Sequence, residues 1–237
     1  MRVVGVYFMA SRIKDNFFDL PDLRGQVDVF RDRGHAGEVL ADILVQYKNT
    51  NAIVFAIPAG GVPVGAVLAA KLQLPLEVAV VSKITLPWNT EAGYGAVAFD
   101  GTVRLNTEMV SRLGLTDDIV RYGIEETRNK VRKRVAEFRS GKPPLQVAGR
   151  LVILVDDGIA SGFTMLVAVE ALRKAGANQV IIAVPTAHWE AIENVLPTVE
   201  EFYCANLRSG WAFAVADAYE KWTDVSEEEV IEILKGF

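Results

Sequence analysis

Val152-Ile153-Leu154-Val155-Asp156-Asp157-Gly158-Ile159-Ala160-Ser161-Gly162-Phe163-Thr164 is the densest signal in this chain of 237 residues. An all-apolar run at 151–155 predicts a strand buried on both faces, as in a parallel sheet. It ends in two acids, and a turn of small and hydroxylated residues then opens a helix. In parallel sheets ligands bind beyond the carboxyl ends of the strands. A turn that leads into a helix exposes backbone N–H groups where a phosphate dianion is favoured. Ser161 and Thr164 add hydroxyl donors, and Gly162 lets the backbone approach closely. Two carboxylates directly before a phosphate site would repel the phosphate. They make chemical sense facing vicinal sugar hydroxyls, or a Mg²⁺ whose waters they hold. The plain alternative is a buried strand followed by an acidic turn.

Outward from this stretch, strand and helix signals alternate, which predicts a mostly parallel α/β sheet flanked by helices. Residues 30–47 carry Ala36, Val39, Leu40, Ile43 and Leu44 at helical spacing. A β-branched run at 52–57 is broken by Pro58-Ala59-Gly60-Gly61, and a helix is expected at 64–72. A second strand is expected at 76–81. Residues 83–94 contain Pro87, Trp88, Asn89 and Gly93 and read as a long loop. Strands follow at 95–105, with a hairpin turn at Asp100-Gly101. Residues 117–139 form a long amphipathic helix with Thr116 as N-cap. A helix at 165–175 closes on Gly176, and a fourth strand at 180–184 closes on Pro185.

Composition narrows the function. The chain is 51% hydrophobic and 23% charged, with net charge −5 and a pI near 5.2, so a generally basic nucleic-acid surface is not indicated. The basic run 130–134 lies among Glu125, Glu126 and Glu137 and reads as a solvated helix face with ion pairs. The single cysteine, Cys204, reads as a buried structural thiol. His35 and His188 form no HxxxH pair, which argues against a zinc hydrolase. No apolar stretch reaches the roughly 20 residues of a membrane span, and the start of the chain lacks a signal-peptide pattern. A soluble cytoplasmic protein is expected, with no membrane or nucleic-acid partner and a homo-oligomer left open.

The 152–164 stretch resembles the 5-phosphoribosyl-1-pyrophosphate (PRPP) signature of type I phosphoribosyltransferases: four apolar residues, two acids, then a small-residue loop ending Gly-x-Thr. Further similarity lies in Phe30-Arg31-Asp32-Arg33 with Ala36-Gly37, in Gly60-Gly61-Val62-Pro63, and in Asn89-Thr90-Glu91 before Gly95-Ala96-Val97. Phe138-Arg139-Ser140-Gly141 and Tyr219-Glu220-Lys221-Trp222 extend it over most of the chain. The resemblance implies one phosphoribosyltransferase domain over residues 1–237. Its core would span about 30–186, and residues 187–237 with the N-terminal segment would form a hood. It implies that Asp156 and Asp157 bind the ribose hydroxyls and, with Asp217, a Mg²⁺. Gly158, Ile159, Ala160, Ser161, Gly162, Phe163 and Thr164 would hold the 5-phosphate. Ala59, Gly60 and Gly61 would form the pyrophosphate loop. Relatives often carry a basic residue before the glycine pair and a non-proline cis peptide in that loop. Here position 59 is alanine, and Lys83 is the candidate cation. Position 160 is Ala160 where 6-oxopurine enzymes carry an aspartate, which lowers the case for a hypoxanthine or guanine enzyme.

The same resemblance makes residues 84–94 a flap over the site, with Glu91 a candidate acid/base. Trp211 and Phe213 are candidates to stack a planar acceptor, with core packing as the competing role. The expected activity is Mg²⁺-dependent transfer of the phosphoribosyl group from PRPP to a nitrogenous acceptor, with a nucleobase favoured. The alternatives are a PRPP-binding regulator without turnover and a hydrolytic activity on a related sugar phosphate.

Overall fold

The computed structural model describes residues 11–237, less the side chains of residues 11–14, 90 and 91. Strands β1 (Ser11–Lys14) and β2 (Phe17–Asp19) precede helix α1 (Arg33–Ile43). Strand β3 (Ile53–Ala56), helix α2 (Gly61–Leu72) and strand β4 (Leu76–Val78) form a first crossover unit. Strands β5 (Val81–Leu86), β6 (Asn89–Ala98) and β7 (Val103–Leu105) lead into helices α3 (Thr107–Arg112) and α4 (Asp117–Arg139). Strand β8 (Leu151–Val155), helix α5 (Phe163–Lys174) and strand β9 (Gln179–His188) form a second unit. Helix α6 (Trp189–Val195), strand β10 (Glu201–Arg208) and helix α7 (Glu227–Leu234) complete the described chain.

The main sheet has the order β1-β2-β10-β9-β8-β3-β4, all parallel except the edge strand β1. Strand β8 is buried on both sides, as its apolar run predicts. Ile153 and Val155 face a layer with Leu40, Val64 and Leu68 of α1 and α2. Val152 and Leu154 face a layer with Met165, Ala168 and Leu172 of α5. After β3 the chain turns to one face through α2, and after β8 it turns to the other through α5. The neighbours β3 and β8 therefore form the point where the strand order reverses, and a crevice opens at their carboxyl ends.

Helix α4 starts where its sequence says it should: the Thr116 side chain accepts a hydrogen bond from Ile119 N–H. On α4, Arg128 pairs with Glu125 and Lys133 with Glu137, and Arg134 pairs with Glu227 of α7. Cys204 is fully buried, and burial pushes its thiol pKa upward.

Two expectations need correction. Residues 83–94 are not a loop but most of the β5–β6 hairpin, with Pro87 and Trp88 at its turn. Of the turn formers, Pro87 and Trp88 do make a turn, but Gly93, like Gly95 beyond it, serves packing inside the strand. A Cβ on Gly95 would come within 2.8 Å of Arg104 O on β7. Strand β9 continues through Pro185, which lies beyond the last β8 pairing at Ala183 and so interrupts the ladder only toward β10. Strands β10 and β2, which lie in the chain expected to form the hood, are strands of the main sheet.

Leu154 is fully buried at the centre of the α5 layer. Leu154→Ala is expected to lower the unfolding free energy by about 3 kcal/mol, in the middle of the range for such truncations, as read by urea denaturation.

Candidate active site

Two loops meet at the β3/β8 crevice. The first, residues 57–61, leaves β3 and opens α2. Ile57 N–H donates to Val155 O (2.8 Å), which ties this loop to the end of β8, and the Pro58–Ala59 peptide is cis, one bond before the Ala59–Gly60 bond near which the family resemblance implies a cis peptide. The second, residues 156–162, leaves β8 and opens α5.

The loops interlock through a lack of side chains. A Cβ on Gly60 would overlap the Asp157 carboxylate, and one on Gly61 would lie 2.9 Å from Asp156 Cα and from Val155 O. The glycine pair is therefore required by the aspartate pair. Gly162 precedes α5 in the left-handed region (φ 76°), and a Cβ there would press on Val195. Ile159 is pinned to β9, donating to Thr186 O and accepting from His188 N–H, both at 3.0 Å. Ala160 and Ser161 are exposed, and the amides of Ala160, Ser161 and Gly162 make no hydrogen bond to protein among the described residues. Three such amides at the start of a twelve-residue helix are donors that could receive an anion. Phe163 and Thr164, the first residues of α5, are half-buried.

The aspartates differ in their surroundings. Asp156 Oδ1 accepts from the Asp157 N–H (2.9 Å). Burial, and then the neighbouring Asp157 carboxylate, push the Asp156 pKa well upward. Burial also raises Asp157, but Arg33 opposes that shift. Arg33 Nε donates to Asp157 Oδ2 at 2.9 Å, and its Nη1 donates to Thr223 O at 2.7 Å. The Trp222 ring lies 3.9 Å from the guanidinium carbon. Tyr219 Oη donates to Asp157 O at 2.6 Å, and the Tyr219 hydroxyl pKa is raised by burial and by Asp157.

A phosphoribosyl transferase domain model matches residues 99–219. The chain belongs to the phosphoribosyl transferase family. The crystal structure of TT1426 from Thermus thermophilus is 34% identical, covering 86% of this chain and 97% of that one, with a TM-score of 0.71. Two Mycobacterium tuberculosis proteins provisionally named phosphoribosyl transferases, from strains CDC 1551 and H37Rv, are 34% identical over 87% of this chain. The chain spans about half their length, since the match covers 46% of each. The adenine phosphoribosyl transferase of Trypanosoma brucei shares the fold at 14% identity and a TM-score of 0.50, over 96% of this chain and 99% of that one.

Other residues singled out from the family resemblance make no hydrogen bond or ion pair with Asp156 or Asp157 among the described residues. Lys83 is exposed on β5 and makes no ion pair among the described residues. Glu91 lies on β6, but its side chain is outside the described residues. Asp217 accepts from Arg208 (3.4 Å) and from Ala214 N–H (3.2 Å). No cluster of three metal-ligating side chains occurs among the described residues, so Asp217 is not gathered with Asp156 and Asp157. Trp211 is fully exposed, which removes core packing as its role, while Phe213 is half-buried between His188 and Arg208. Ala160, His188, Glu190, Gly210, Trp211 and Phe213 line an open recess of about 540 Å³.

From the sequence, Arg33 stands in a matching motif with no role attached, whereas Tyr219 and Trp222 are expected among the C-terminal aromatics that form a base-stacking hood or pack in the core; in the structure they contact Asp157 and Arg33. A sequence signal for Arg33 did exist. It follows the N-cap Asp32 directly, in a helix's first turn, where a cation is disfavoured unless a partner holds it.

Because burial favours the neutral acid of Asp156, the folded chain keeps that proton to higher pH than the unfolded chain does. The resulting stability is complete below the ordinary carboxylate value of about 4 and is lost as pH rises through the raised value. Asp156→Asn is therefore expected to raise the melting temperature at pH 8 and to flatten its fall between pH 4 and pH 8, as measured by calorimetric melts.

Proposed function

We propose that this chain is a Mg²⁺-dependent phosphoribosyltransferase that moves the 5-phosphoribosyl group from PRPP to a nitrogenous acceptor, with a nucleobase favoured, and releases pyrophosphate. One observation carries the reading. Two acids and three free helix-start amides converge on a single crevice, and a glycine pair is locked against the acids.

In this reading the amides of Ala160, Ser161 and Gly162, with the hydroxyls of Ser161 and Thr164, bind the 5-phosphate. Asp156 and Asp157 accept from the ribose 2- and 3-hydroxyls. The diphosphate lies along Ala59-Gly60-Gly61. The acceptor nitrogen forms its bond to C1 as the C1–O bond breaks, and the bonding pair leaves with pyrophosphate. Positive charge grows on the ribose in the transition state, and the carboxylates beside it are placed to stabilise that charge. The proton from the acceptor nitrogen passes to a general base, for which Glu91 is the candidate. Two carboxylates, with the remaining positions left to water and phosphate oxygens, suit Mg²⁺ better than a full protein cage would. When bound, Mg²⁺ would supply charge neutralisation on the leaving diphosphate.

The acceptor belongs in the recess that shares Ala160 with the phosphate loop, where Trp211 and Phe213 offer aromatic faces. Stacking on such faces is worth about 1–3 kcal/mol per base. Trp211→Ala is therefore expected to raise the acceptor KM roughly five- to hundredfold and to leave the melting temperature unchanged.

The deciding experiment is pyrophosphate release from PRPP and Mg²⁺ across a panel of nucleobases, beside calorimetric titration of PRPP. Release with at least one base supports the reading, and Asp156→Asn/Asp157→Asn should then weaken PRPP binding about tenfold or more. Tight PRPP binding without release for any acceptor would identify a regulator instead. Release without any acceptor would identify a hydrolase.

A further inference from the structure

The diphosphate end of PRPP poses a charge problem at this crevice. The 58–61 loop is Pro58-Ala59-Gly60-Gly61 and carries no cation. The two aspartates beside it add negative charge. Backbone amides and a metal can meet part of the diphosphate, but the carboxylates compete for that metal.

We infer that Arg33 is the side chain that meets the diphosphate of the donor, an inference that rests on the donor-binding reading above. The position follows from one shared atom. Arg33 Nε bonds Asp157 Oδ2 at 2.9 Å, and this same carboxylate fills the space where Gly60 lacks a Cβ. The guanidinium therefore stands at the Gly60 end of the loop, beside the acids. It is also held still. The Trp222 ring covers one face at 3.9 Å, and Thr223 O takes a hydrogen bond from Nη1. The side chain keeps only 10% of its exposure.

The guanidinium has five N–H donors, and two are used by protein groups, at Nε and Nη1. Among the described residues Nη2 has no protein partner, yet it is not one of the buried atoms without a hydrogen bond, so it retains contact with solvent. A rigid cation with an open edge of donors is suited to two oxygens of a diphosphate, which a planar fork can engage together. Were Arg33 only a clamp on Asp157, that open edge would have no use. Asp157 is already fixed from its carbonyl by Tyr219 and seated against Gly60.

The test compares three ligands by calorimetry in the presence of Mg²⁺: PRPP, inorganic pyrophosphate and ribose 5-phosphate. Arg33→Gln is expected to weaken PRPP and pyrophosphate about tenfold or more, the loss of at least one charge-assisted bond. Ribose 5-phosphate affinity should change far less. Equal losses for all three ligands would make Arg33 a positioning residue for Asp157 and overturn the inference. A wild-type chain that binds none of the three overturns the donor-binding reading itself, and the inference with it. A second measurement does not depend on Arg33→Gln folding. In the ¹⁵N spectrum of the wild-type chain, the Arg33 Nε–H resonance, assigned with Arg33→Lys, should move on titration with pyrophosphate and stay in place with ribose 5-phosphate. A resonance that ignores pyrophosphate overturns the proposal.

Discussion

The Asp157 carboxylate occupies the volume in which any side chain at position 60 would sit. Much of the site depends on that exclusion. It lets the β3 loop close onto the β8 loop, so that two separate strand ends present one continuous surface. The parallel sheet supplies the alignment, since Val155 pairs with both Ala56 and Ala183, so that β3 and β8 end at the same level while β9 runs on beside β10. Apolar packing on both faces holds these strands in place, and the polar groups at their ends are then positioned without needing a core of their own.

Electrostatics gives the crevice its asymmetry. Two adjacent carboxyls share a poorly solvated environment, and among the described residues only Asp157 has a cation in contact. The neutral acid is favoured most at Asp156, where the neighbouring carboxylate adds to burial. Such an arrangement is poor for stability and suits a site that awaits hydroxyl groups and cations from outside. The cost is offset elsewhere, by a core in which Ile153, Leu154, Val155, Ile182 and Phe202 are fully buried.

How much of this was legible in the sequence varied with the length over which the controlling forces act. Strand β8, the cap of α4 by Thr116 and the burial of Cys204 follow from local pattern, and their boundaries match. The β5–β6 hairpin reads as a loop in the sequence because Pro87, Trp88, Asn89 and Gly93 are turn formers, and Gly93, like Gly95 after it, lies inside the strand instead. The real cause of the two glycines is cross-strand crowding, which has no local signature. The continuation of β9 through Pro185 depends on where its neighbour β8 stops. The two loops at the crevice are contiguous motifs and stand out. Arg33, Tyr219 and Trp222 join them across as many as 190 residues, as in the bond from Arg33 to Thr223 O, and no spacing rule connects such positions.

The lacing of residues 28–33 to residues 217–223 has a consequence for how the chain matures. Asp28 N–H bonds Asp217 O, Phe30 N–H bonds Ala218 O, and Glu220 N–H bonds Phe30 O. During synthesis the residues near position 33 emerge long before their partners. Closing so long a loop is an entropic expense met only after the intervening sheet has formed. The crevice is thus among the last features to be completed, although β8 and its neighbours can pair earlier. A small molecule that recognises the finished crevice would bind only chains that have folded throughout, and by mass action would draw late intermediates toward the native state.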